Sequence, residues 1–452
     1  MRDLFITALV FSTLPLIIYR PWIGVLVWSW LGYMNPHRLA WGFAYNFPFA
    51  QVVAVVTLGS ILFSKDKKRV PITFMTIVWF LWIFWMVVTT QFALFPSVAE
   101  YEFERAMKIQ LIAIISLMLM CQKERLIALV WVIVFSLGFY GAKGGIFSLL
   151  TGGQYRVWGP EGSFIAGNNS IGLALTMSIP LMWFLYLEYK QTMIRLGMLA
   201  LIGLTAIAIF TTHSRGAFLA VGSMAVFMWM KSRQKLLLGS AIIMLLPLLF
   251  FTMPDSWQDR MFGISEYEED TSAMGRINAW WMAYYLALDH PFVGGGFGTF
   301  RVKMFEKYAP DPDDMHDAHS IYFEVLGEHG FVGIGLFLLL GLLALMTGGW
   351  IVRKARGIQE LEWARNLAAM LQVSLVAYAV GGTFLGLAYF DLYYQFIAML
   401  ALLRVLVTKH LKETSQAPVT TALGRDPPEP DEMKPTGDAT DVPAVRRLGR
   451  GR

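Results

Sequence analysis

The feature that most constrains this chain is a long series of apolar segments separated by short polar connections. Of its 452 residues, 56% are hydrophobic and only 15% are charged, which is more apolar surface than a soluble protein of this length can bury. Inside a bilayer each segment must be a helix, because only a helix satisfies its own backbone hydrogen bonds there. We therefore predict an all-α polytopic membrane protein. The apolar segments lie at residues 3–19, 22–34, 46–63, 71–91, 108–121, 126–150, 170–187, 195–212, 214–230, 235–253, 331–352, 367–391 and 392–407.

The distribution of lysine and arginine predicts which connections face the cytoplasm. Basic connections occur at residues 64–69, 121–125, 188–195, 231–235 and 352–356. Short loops rich in Lys and Arg stay on the cytoplasmic side, so the intervening connections are expected outside. These outer connections are residues 92–107, 151–169, 254–330 and 389–392. If segment 22–34 is re-entrant or broken, the chain has about twelve transmembrane helices and both termini are cytoplasmic.

Four regions follow from this arrangement. Residues 1–253 form an N-terminal transmembrane bundle, 254–330 one long outer loop with amphipathic helices, 331–410 further transmembrane helices, and 411–452 a disordered cytoplasmic tail. The long loop is acidic, with fourteen Asp and Glu against five Lys and Arg, and long structured loops usually carry function. Within it we predict an amphipathic helix over 275–290, a glycine-rich turn over 290–300 and a return to helix over 318–330.

Two arginines stand at predicted helix starts on the outer side. Ser214 can cap a helix whose first turn contains Arg215, although an arginine there opposes the helix dipole. Its position is explained if an anion is bound, because helix N–H groups and a guanidinium together form a phosphate site. The alternative is an arginine that only extends to the membrane interface. Arg276 begins the amphipathic helix after an acidic run, where a salt bridge to that run is the alternative to anion binding.

Three histidines lie in the stretch DDMHDAHSIYFEVLGEHG, residues 313–330. On a helix, His319 shares a face with apolar side chains, which favours a neutral imidazole that accepts a proton near pH 7; a structural loop histidine is the alternative. His316 and His319 could also begin a metal site, with Glu324, Glu328 or the D-x-D pair of Asp311 and Asp313 as possible further ligands, but none of these is convincing. We therefore predict no metal and no other cofactor. His329 is expected to be a structural residue at a helix C-terminus.

Together these residues indicate a class of chemistry. Two arginines and one histidine at one surface beside a membrane suit transfer from a lipid-linked phosphate or diphosphate. The arginines would neutralise the leaving group, and the histidine would remove a proton from the nucleophile. A lipid or polysaccharide transporter is the non-enzyme alternative, but it should carry ionisable residues at the centres of its spans. The net charge of +5 follows the topology and requires no nucleic-acid partner.

Several motifs resemble the O-antigen ligase family (Wzy/WaaL-like). They are SRG at 214–216, GRINAW at 275–280, PFVGGGFGTF at 291–300 and HSIYFEVLGEHG at 319–330, and the resemblance covers most of residues 1–410. The opening MRDLFITALVF and the segment GYMNPHRLAWGFAYNFPFAQ are also similar to exosortase-associated O-glycosylation ligases.

The resemblance implies a GT-C-type membrane glycosyltransferase in the bacterial inner membrane. It implies metal-independent, inverting transfer of a glycan from undecaprenyl diphosphate to lipid A–core at the periplasmic face. Arg215 and Arg276 match the family's diphosphate-binding arginines and His319 its essential histidine. Arg156, Arg301 and Asn168 are further candidates for binding the diphosphate or the glycan. An O-antigen polymerase and a protein O-oligosaccharyltransferase share this pattern and remain alternatives.

Overall fold

The computed structural model describes residues 1–64, 70–232, 235–236, 239–240 and 271–416. Within these ranges the chain forms α-helices and short 3₁₀ turns, and no β-strand occurs there. The α-helices, numbered along the described part, are α1 (Arg2–Tyr19), α2 (Pro21–Met34), α3 (Phe49–Phe63), α4 (Phe74–Gln91), α5 (Pro96–Leu119), α6 (Lys123–Thr151), α7 (Asn168–Glu188), α8 (Thr192–Phe210), α9 (Arg215–Lys231), α10 (Thr271–Asp289), α11 (Val302–Tyr308), α12 (Ile321–Lys354), α13 (Glu362–Gly381) and α14 (Asp391–Gln416).

The all-α polytopic fold is confirmed. Eight helical segments of the described residues are long and apolar enough to cross a membrane. Among the shorter helices of the described residues, α3 with 15 residues is also apolar, and α2 has 14 residues. The segment predicted at 235–253 lies almost wholly outside the described residues, so the total of twelve spans stays a prediction. The division into four regions also stays a prediction, and its tail lies outside the description after residue 416.

Large apolar side chains cover the outside of the bundle. Phe84 on α4 and Phe135 on α6 are each 61% exposed, and Leu342 on α12 is 54% exposed. A soluble protein rarely leaves so many large apolar groups in water, whereas a lipid-facing surface requires them. The exposed side chains therefore agree with the spans that the sequence predicts.

Small residues allow α7, α9 and α13 to approach closely. A Cβ added to Gly172 of α7 would lie 2.7 Å from the Cβ of Ala217 in α9. A Cβ on Gly381 of α13 would meet Leu173 of α7 and Ala220 of α9 at 2.7 and 2.9 Å. Close backbone packing at small residues is typical of membrane helices, since lipid offers no hydrophobic drive for their association. It brings the first turn of α9 beside the end of α13.

Two helix limits differ from the sequence prediction. Helix α12 starts at Ile321 and is interrupted at Gly330, whose φ of 67° and ψ of −168° are not helical. His319 therefore precedes the helix, and its predicted place on a helical face is wrong. Helix α13 ends at Gly381, so the span predicted over 367–391 is too long: a 3₁₀ turn and an irregular segment at 385–390 separate α13 from α14. Hydrophobicity continues through this segment and so does not mark the helix end, where Gly381 and Gly382 pack closely against Leu173 and Ile321.

The connections predicted to face the cytoplasm lie near one another. Lys123, at the start of α6, pairs with Glu188 at the end of α7 at 3.0 Å and lies 5.2 Å from the ring of Trp363 in α13. Near the end of α9, Lys231 donates to Gln372 of α13 at 2.8 Å. The outer connections meet elsewhere, around the residues described below.

Candidate functional site

The predicted amphipathic helix is confirmed as α10, but it is already helical at Thr271, so Arg276 lies more than one turn inside the helix and its predicted place at the helix start is wrong. Ala279, Ala283 and Ala287 are fully buried along one side, as the pattern predicts. One turn after Arg276, Trp280 donates through Nε1 to the carbonyl of Ala318 at 2.7 Å. Since residues four apart lie on one helix face, Arg276 and Trp280 both face the segment around His319.

The acidic loop, defined as residues 309–318, is held in place by Asn278 of α10. The Asn278 side-chain amide donates to the carbonyl groups of Asp311 and Asp314 at 2.7 and 2.8 Å, and its oxygen accepts the Asp311 N–H at 2.9 Å. The Asp311 carboxylate accepts the N–H of Asp313 at 3.1 Å, so the D-x-D pair forms part of a turn. The ring of His316 pairs with Asp314 at 2.9 Å. These contacts give the acidic loop a structural role in positioning the residue that follows it.

His319 follows this loop in an unusual backbone conformation. Its φ of 42° lies in the left-handed region, which a non-glycine residue adopts only at a cost. Neither ring nitrogen forms a hydrogen bond to another residue of the described ranges. Burial and the nearby Arg276 guanidinium lower the pKa of His319, and the Asp317 carboxylate offsets part of that shift. The imidazole is therefore neutral near pH 7 and can accept a proton.

His319 lines a cavity of about 360 Å³, which we name the His319 cavity. Its volume falls within the roughly 300–1,000 Å³ of small-molecule sites. The wall includes four carboxyl side chains, one arginine and three aromatic rings. The lining residues are Val98, Glu102, Ser170, Phe297, Gly298, Phe300, Arg301, Asp317, Ala318, His319, Glu324, Glu328, Leu385, Gly386 and Tyr389. All of them come from connections or helix ends that the sequence predicts at the outer face.

A buried chain of hydrogen bonds supports the floor of this cavity. The Glu328 carboxylate accepts the N–H of Gly298 at 2.7 Å and the Tyr389 hydroxyl at 2.5 Å. The same hydroxyl lies 2.7 Å from Nε2 of His329, whose Nδ1 lies 2.7 Å from the hydroxyl of Thr89. His329 is fully buried and ends the first part of α12, so its predicted structural position at a helix end agrees with the fold. Its partners are hydroxyl groups in other helices and loops.

The glycine-rich turn docks on the same helix end through its backbone. The N–H groups of Gly295 and Gly296 donate to the carbonyls of Gly327 and Glu328 at 2.8 and 2.9 Å. Gly294 has a φ of 62°, and a Cβ there would lie 2.6 Å from the Gly327 carbonyl oxygen. Only glycine fits this conformation and this approach. The motifs PFVGGGFGTF and HSIYFEVLGEHG are therefore the two halves of one structural unit.

Arg215 is placed at the start of α9 as predicted. The Ser214 side chain caps the helix by accepting the N–H of Ala217 at 3.1 Å. A Cβ on the neighbouring Gly216 would lie 3.4 Å from Cβ of Phe384, in the turn after α13. Trp280 of α10 also reaches Phe384, with ring centroids 6.5 Å apart. The segments that carry Arg215 and Arg276 thus contact the same residue.

The three further candidates lie around this region in different roles. Arg301 precedes α11, lines the His319 cavity and donates through Nε to the Gly298 carbonyl at 3.2 Å. Asn168 donates to the Thr212 carbonyl at 2.8 Å and so stabilises the turn before Arg215. Arg156 is exposed on the connection after α6 and does not line the cavity. Their part in binding substrate stays a prediction.

The carboxyl groups of the cavity are the part of the site that sequence reasoning missed. Glu324 and Glu328 appear in the sequence only as possible metal ligands, and Glu102 and Tyr389 are not singled out. The helical spacing of Glu324 and Glu328, four residues apart in the motif, could have indicated a shared face. Nothing in the sequence connects them to Tyr389 or Glu102.

An all-helical membrane bundle with a carboxyl-lined, histidine-containing cavity at its predicted outer end defines a polytopic membrane protein with a candidate transfer site. Residues 199–338 match the model of the O-antigen ligase family (Wzy_C), and the matched region contains Arg215, Arg276 and His319. This match supports a ligase- or polymerase-type membrane glycosyltransferase. Residues 1–190 match a family of unknown function (DUF5935). No curated protein matches the chain.

Proposed function

We propose that the protein is an O-antigen ligase that transfers a glycan from undecaprenyl diphosphate to lipid A–core. An acceptor hydroxyl oxygen attacks the anomeric carbon of the donor sugar, and a new glycosidic bond forms with inversion. The bond from that carbon to the diphosphate oxygen breaks, and undecaprenyl diphosphate leaves with the electron pair. The proton of the hydroxyl passes to His319, as general base catalysis requires. The observation that carries the proposal is His319, neutral and open to the cavity, beside Arg276 within the O-antigen ligase domain.

Arg215 and Arg276 are the proposed partners of the donor diphosphate. Arg215 begins α9, where backbone N–H groups already favour an anion, whereas Arg276 lies inside α10 and would contribute its guanidinium alone. Guanidinium groups stabilise the negative charge that develops on the leaving diphosphate, as preorganised cations do in other transfer reactions. This assignment needs no metal, and it fits the GT-C type that the resemblance implies.

The membrane orientation of this proposal follows from charge. Basic connections such as 121–125 and 352–356 would face the cytoplasm, together with the C-terminus, in the bacterial inner membrane. The His319 cavity would then open to the periplasm, where the acceptor lipid A–core is exposed.

Transfer by the purified protein tests the proposal. The protein in detergent is supplied with undecaprenyl-diphosphate-linked glycan and lipid A–core, and the glycosylated lipid is separated and quantified. His319→Ala should lower the rate by roughly 10²–10⁴-fold, as loss of a general base does. Glu306→Gln, an exposed carboxylate on α11 outside the cavity, is the matched control and should leave transfer unchanged. Full activity of His319→Ala would refute its role as base.

The acceptor separates the alternatives. A strain that lacks the protein should lose capped lipopolysaccharide and accumulate lipid-linked polymer if the protein is a ligase. Single-repeat products in that strain would instead indicate a polymerase. Glycosylation of a protein acceptor in the purified assay would indicate an O-oligosaccharyltransferase. Loss of activity on chelation, with rescue by a divalent ion, would overturn the metal-independent mechanism.

A further inference from the structure

The connection between α2 and α3, residues 35–48, lies at the same end of the bundle as the His319 cavity. At the end of α2, a Cβ on Gly32 would lie 3.5 Å from a side-chain oxygen of Asp391. Asp391 begins α14 two residues after Tyr389, which lines the cavity. The connection therefore belongs to the surface that the sequence predicts at the outer face.

The first residues of α1 hold this connection in place. The Asp3 carboxylate accepts the N–H groups of Gly42 and Ala44 at 3.0 and 3.1 Å. At the other end of α2, the Arg125 guanidinium of a basic connection lies 5.4 Å from the centre of the Trp22 ring. Helices α1 and α2 thus both run between the end with the basic connections and the end with the cavity. The N-terminus lies at the cavity end, and not with the basic connections as the sequence predicts.

Arg38 lies within this connection, and its charge is unpaired. Its Cζ lies 4.6 Å from the centre of the Tyr45 ring, and a Cβ on Gly162, in the connection after α6, would lie 3.2 Å from the same atom. The side chain is half-buried, and its guanidinium forms no hydrogen bond or ion pair with any residue in the described ranges, Glu161 included. Buried polar groups nearly always have a partner, and a guanidinium pairs best with an oxyanion. Arg38 is therefore a positioned cation that is available to an anionic ligand.

The neighbouring His37 adds no second charge. Burial, and then the Arg38 guanidinium, lower the pKa of His37 to about 4, so its imidazole is neutral near pH 7. Its Nδ1 is buried and has no hydrogen-bond partner within the described part of the chain. The site therefore offers one guanidinium, whose parallel N–H groups match two oxygens of one phosphate group.

One turn of the chain separates Arg38 from the wall of the His319 cavity. Gly162 and Phe164 belong to this turn, and their Cα atoms are at most about 7 Å apart, because they are two residues apart. The centre of the Phe164 ring lies 4.7 Å from the Arg105 guanidinium, which pairs with Glu102 of the cavity wall at 2.7 Å. An oligosaccharide in the cavity can extend across this turn to Arg38.

We propose that Arg38 binds a phosphate group of the acceptor glycolipid while the accepting hydroxyl lies at His319. This inference rests on the proposed ligase function and adds a second contact for its acceptor. The donor diphosphate is assigned to Arg215 and Arg276, so Arg38 meets a different anion. A phosphorylated core saccharide offers such an anion at a distance from its accepting hydroxyl.

Transfer by the unaltered protein in detergent gives the first test. Lipid A–core with phosphate on its core sugars is compared with the same acceptor after phosphatase treatment, at saturating donor. We expect KM to be roughly 10–100-fold lower for the phosphorylated acceptor, as for one charge-assisted hydrogen-bonded pair, and kcat to be similar. Equal KM values, or a lower KM for the dephosphorylated acceptor, would overturn the proposal.

Arg38→Gln tests which residue causes this preference. The variant should raise KM for the phosphorylated acceptor by roughly 10–100-fold, to the value for the dephosphorylated acceptor. Its KM values for the dephosphorylated acceptor and for the donor should stay within about twofold of wild type, which also shows that the variant is folded. Arg20→Gln removes an exposed cation at the other end of α2, and this matched control should change no constant. A phosphate preference that persists in Arg38→Gln, or a raised donor KM, would refute the assignment.

Direct binding separates this subsite from the ligase function and from a site for membrane phospholipid. Binding of fluorescent phosphorylated acceptor is measured without donor, and Arg38→Gln should weaken it by the same roughly 10–100-fold. Phosphatidylglycerol added to the micelles should leave this binding unchanged. Displacement of the acceptor from wild type but not from Arg38→Gln would assign Arg38 to a lipid headgroup and overturn the proposal. Arg38-dependent binding without transfer to any acceptor would support the subsite and count against the proposed ligase function.

Discussion

Replacement of Tyr389 by phenylalanine removes one oxygen from the buried chain of hydrogen bonds under the cavity. That oxygen lies 2.5 Å from the Glu328 carboxylate and 2.7 Å from Nε2 of His329. Glu328 is only 6% exposed and His329 is fully buried, so water cannot replace the lost partner at His329. A hydrogen bond between neutral groups is worth about 0.5–1.5 kcal/mol, and a buried group left without a partner costs about 1–3 kcal/mol. We therefore expect Tyr389→Phe to lower the free energy of unfolding by roughly 2–4 kcal/mol.

Reversible unfolding in mixed micelles measures this difference, and Tyr322→Phe provides the matched control. The Tyr322 hydroxyl has only neutral partners, the Ala379 carbonyl at 2.8 Å and the Thr383 side chain, so its loss should cost only about 1 kcal/mol. The chain of bonds predicts a further result with Thr89→Val, which removes the partner of His329 on its other side. The stability losses of Tyr389→Phe and Thr89→Val should differ from a simple sum by about 0.5–3 kcal/mol in the double variant, because both substitutions act through His329. Equal losses in Tyr389→Phe and Tyr322→Phe, or strict additivity, would refute the reasoning.

Three further predictions concern the surroundings of the cavity. Gly294→Ala places a Cβ 2.6 Å from the Gly327 carbonyl oxygen at a residue in the left-handed conformation. The substitution should therefore lower the free energy of unfolding by roughly 2–4 kcal/mol in the same assay. Wild-type stability of this variant would contradict the docking of the glycine-rich turn. Asn278→Ala removes three hydrogen bonds to the acidic loop and should lower the free energy of unfolding by about 2–3 kcal/mol. The acidic loop should also become sensitive to limited proteolysis. Unchanged cleavage would show that other contacts hold the loop. The Asp317 carboxylate raises the pKa of His319, so Asp317→Asn should lower that pKa. The acid limb of the pH–rate profile should then move to lower pH, because His319 must be neutral to act as the base. A shift to higher pH would contradict this role of His319.

The positions of individual site residues show how far local sequence could predict the site. Ser214 capping of the helix that begins at Arg215 is a short-range pattern, and it occurs as predicted. The buried alanines of α10 follow from helical periodicity alone. His319 is different: its place before α12, in a left-handed conformation, depends on the acidic loop that Asn278 and Trp280 hold from α10. Helical periodicity in the sequence could not predict those contacts between α10 and the acidic loop.

The sequence by itself determined the helical membrane class, the alternation of basic and non-basic connections, and the segments that carry Arg215, Arg276 and His319. These properties follow from hydrophobicity, helical periodicity and capping, which act within a few residues of the chain. Only the tertiary structure decided that Tyr389 and Glu328, 61 residues apart, would share a hydrogen bond beneath the cavity of His319. Glycines that leave no room for a Cβ allow the segments around Glu328 and Tyr389 to pack closely. The electrostatic character of the cavity results from that packing, because its charged side chains come from different segments.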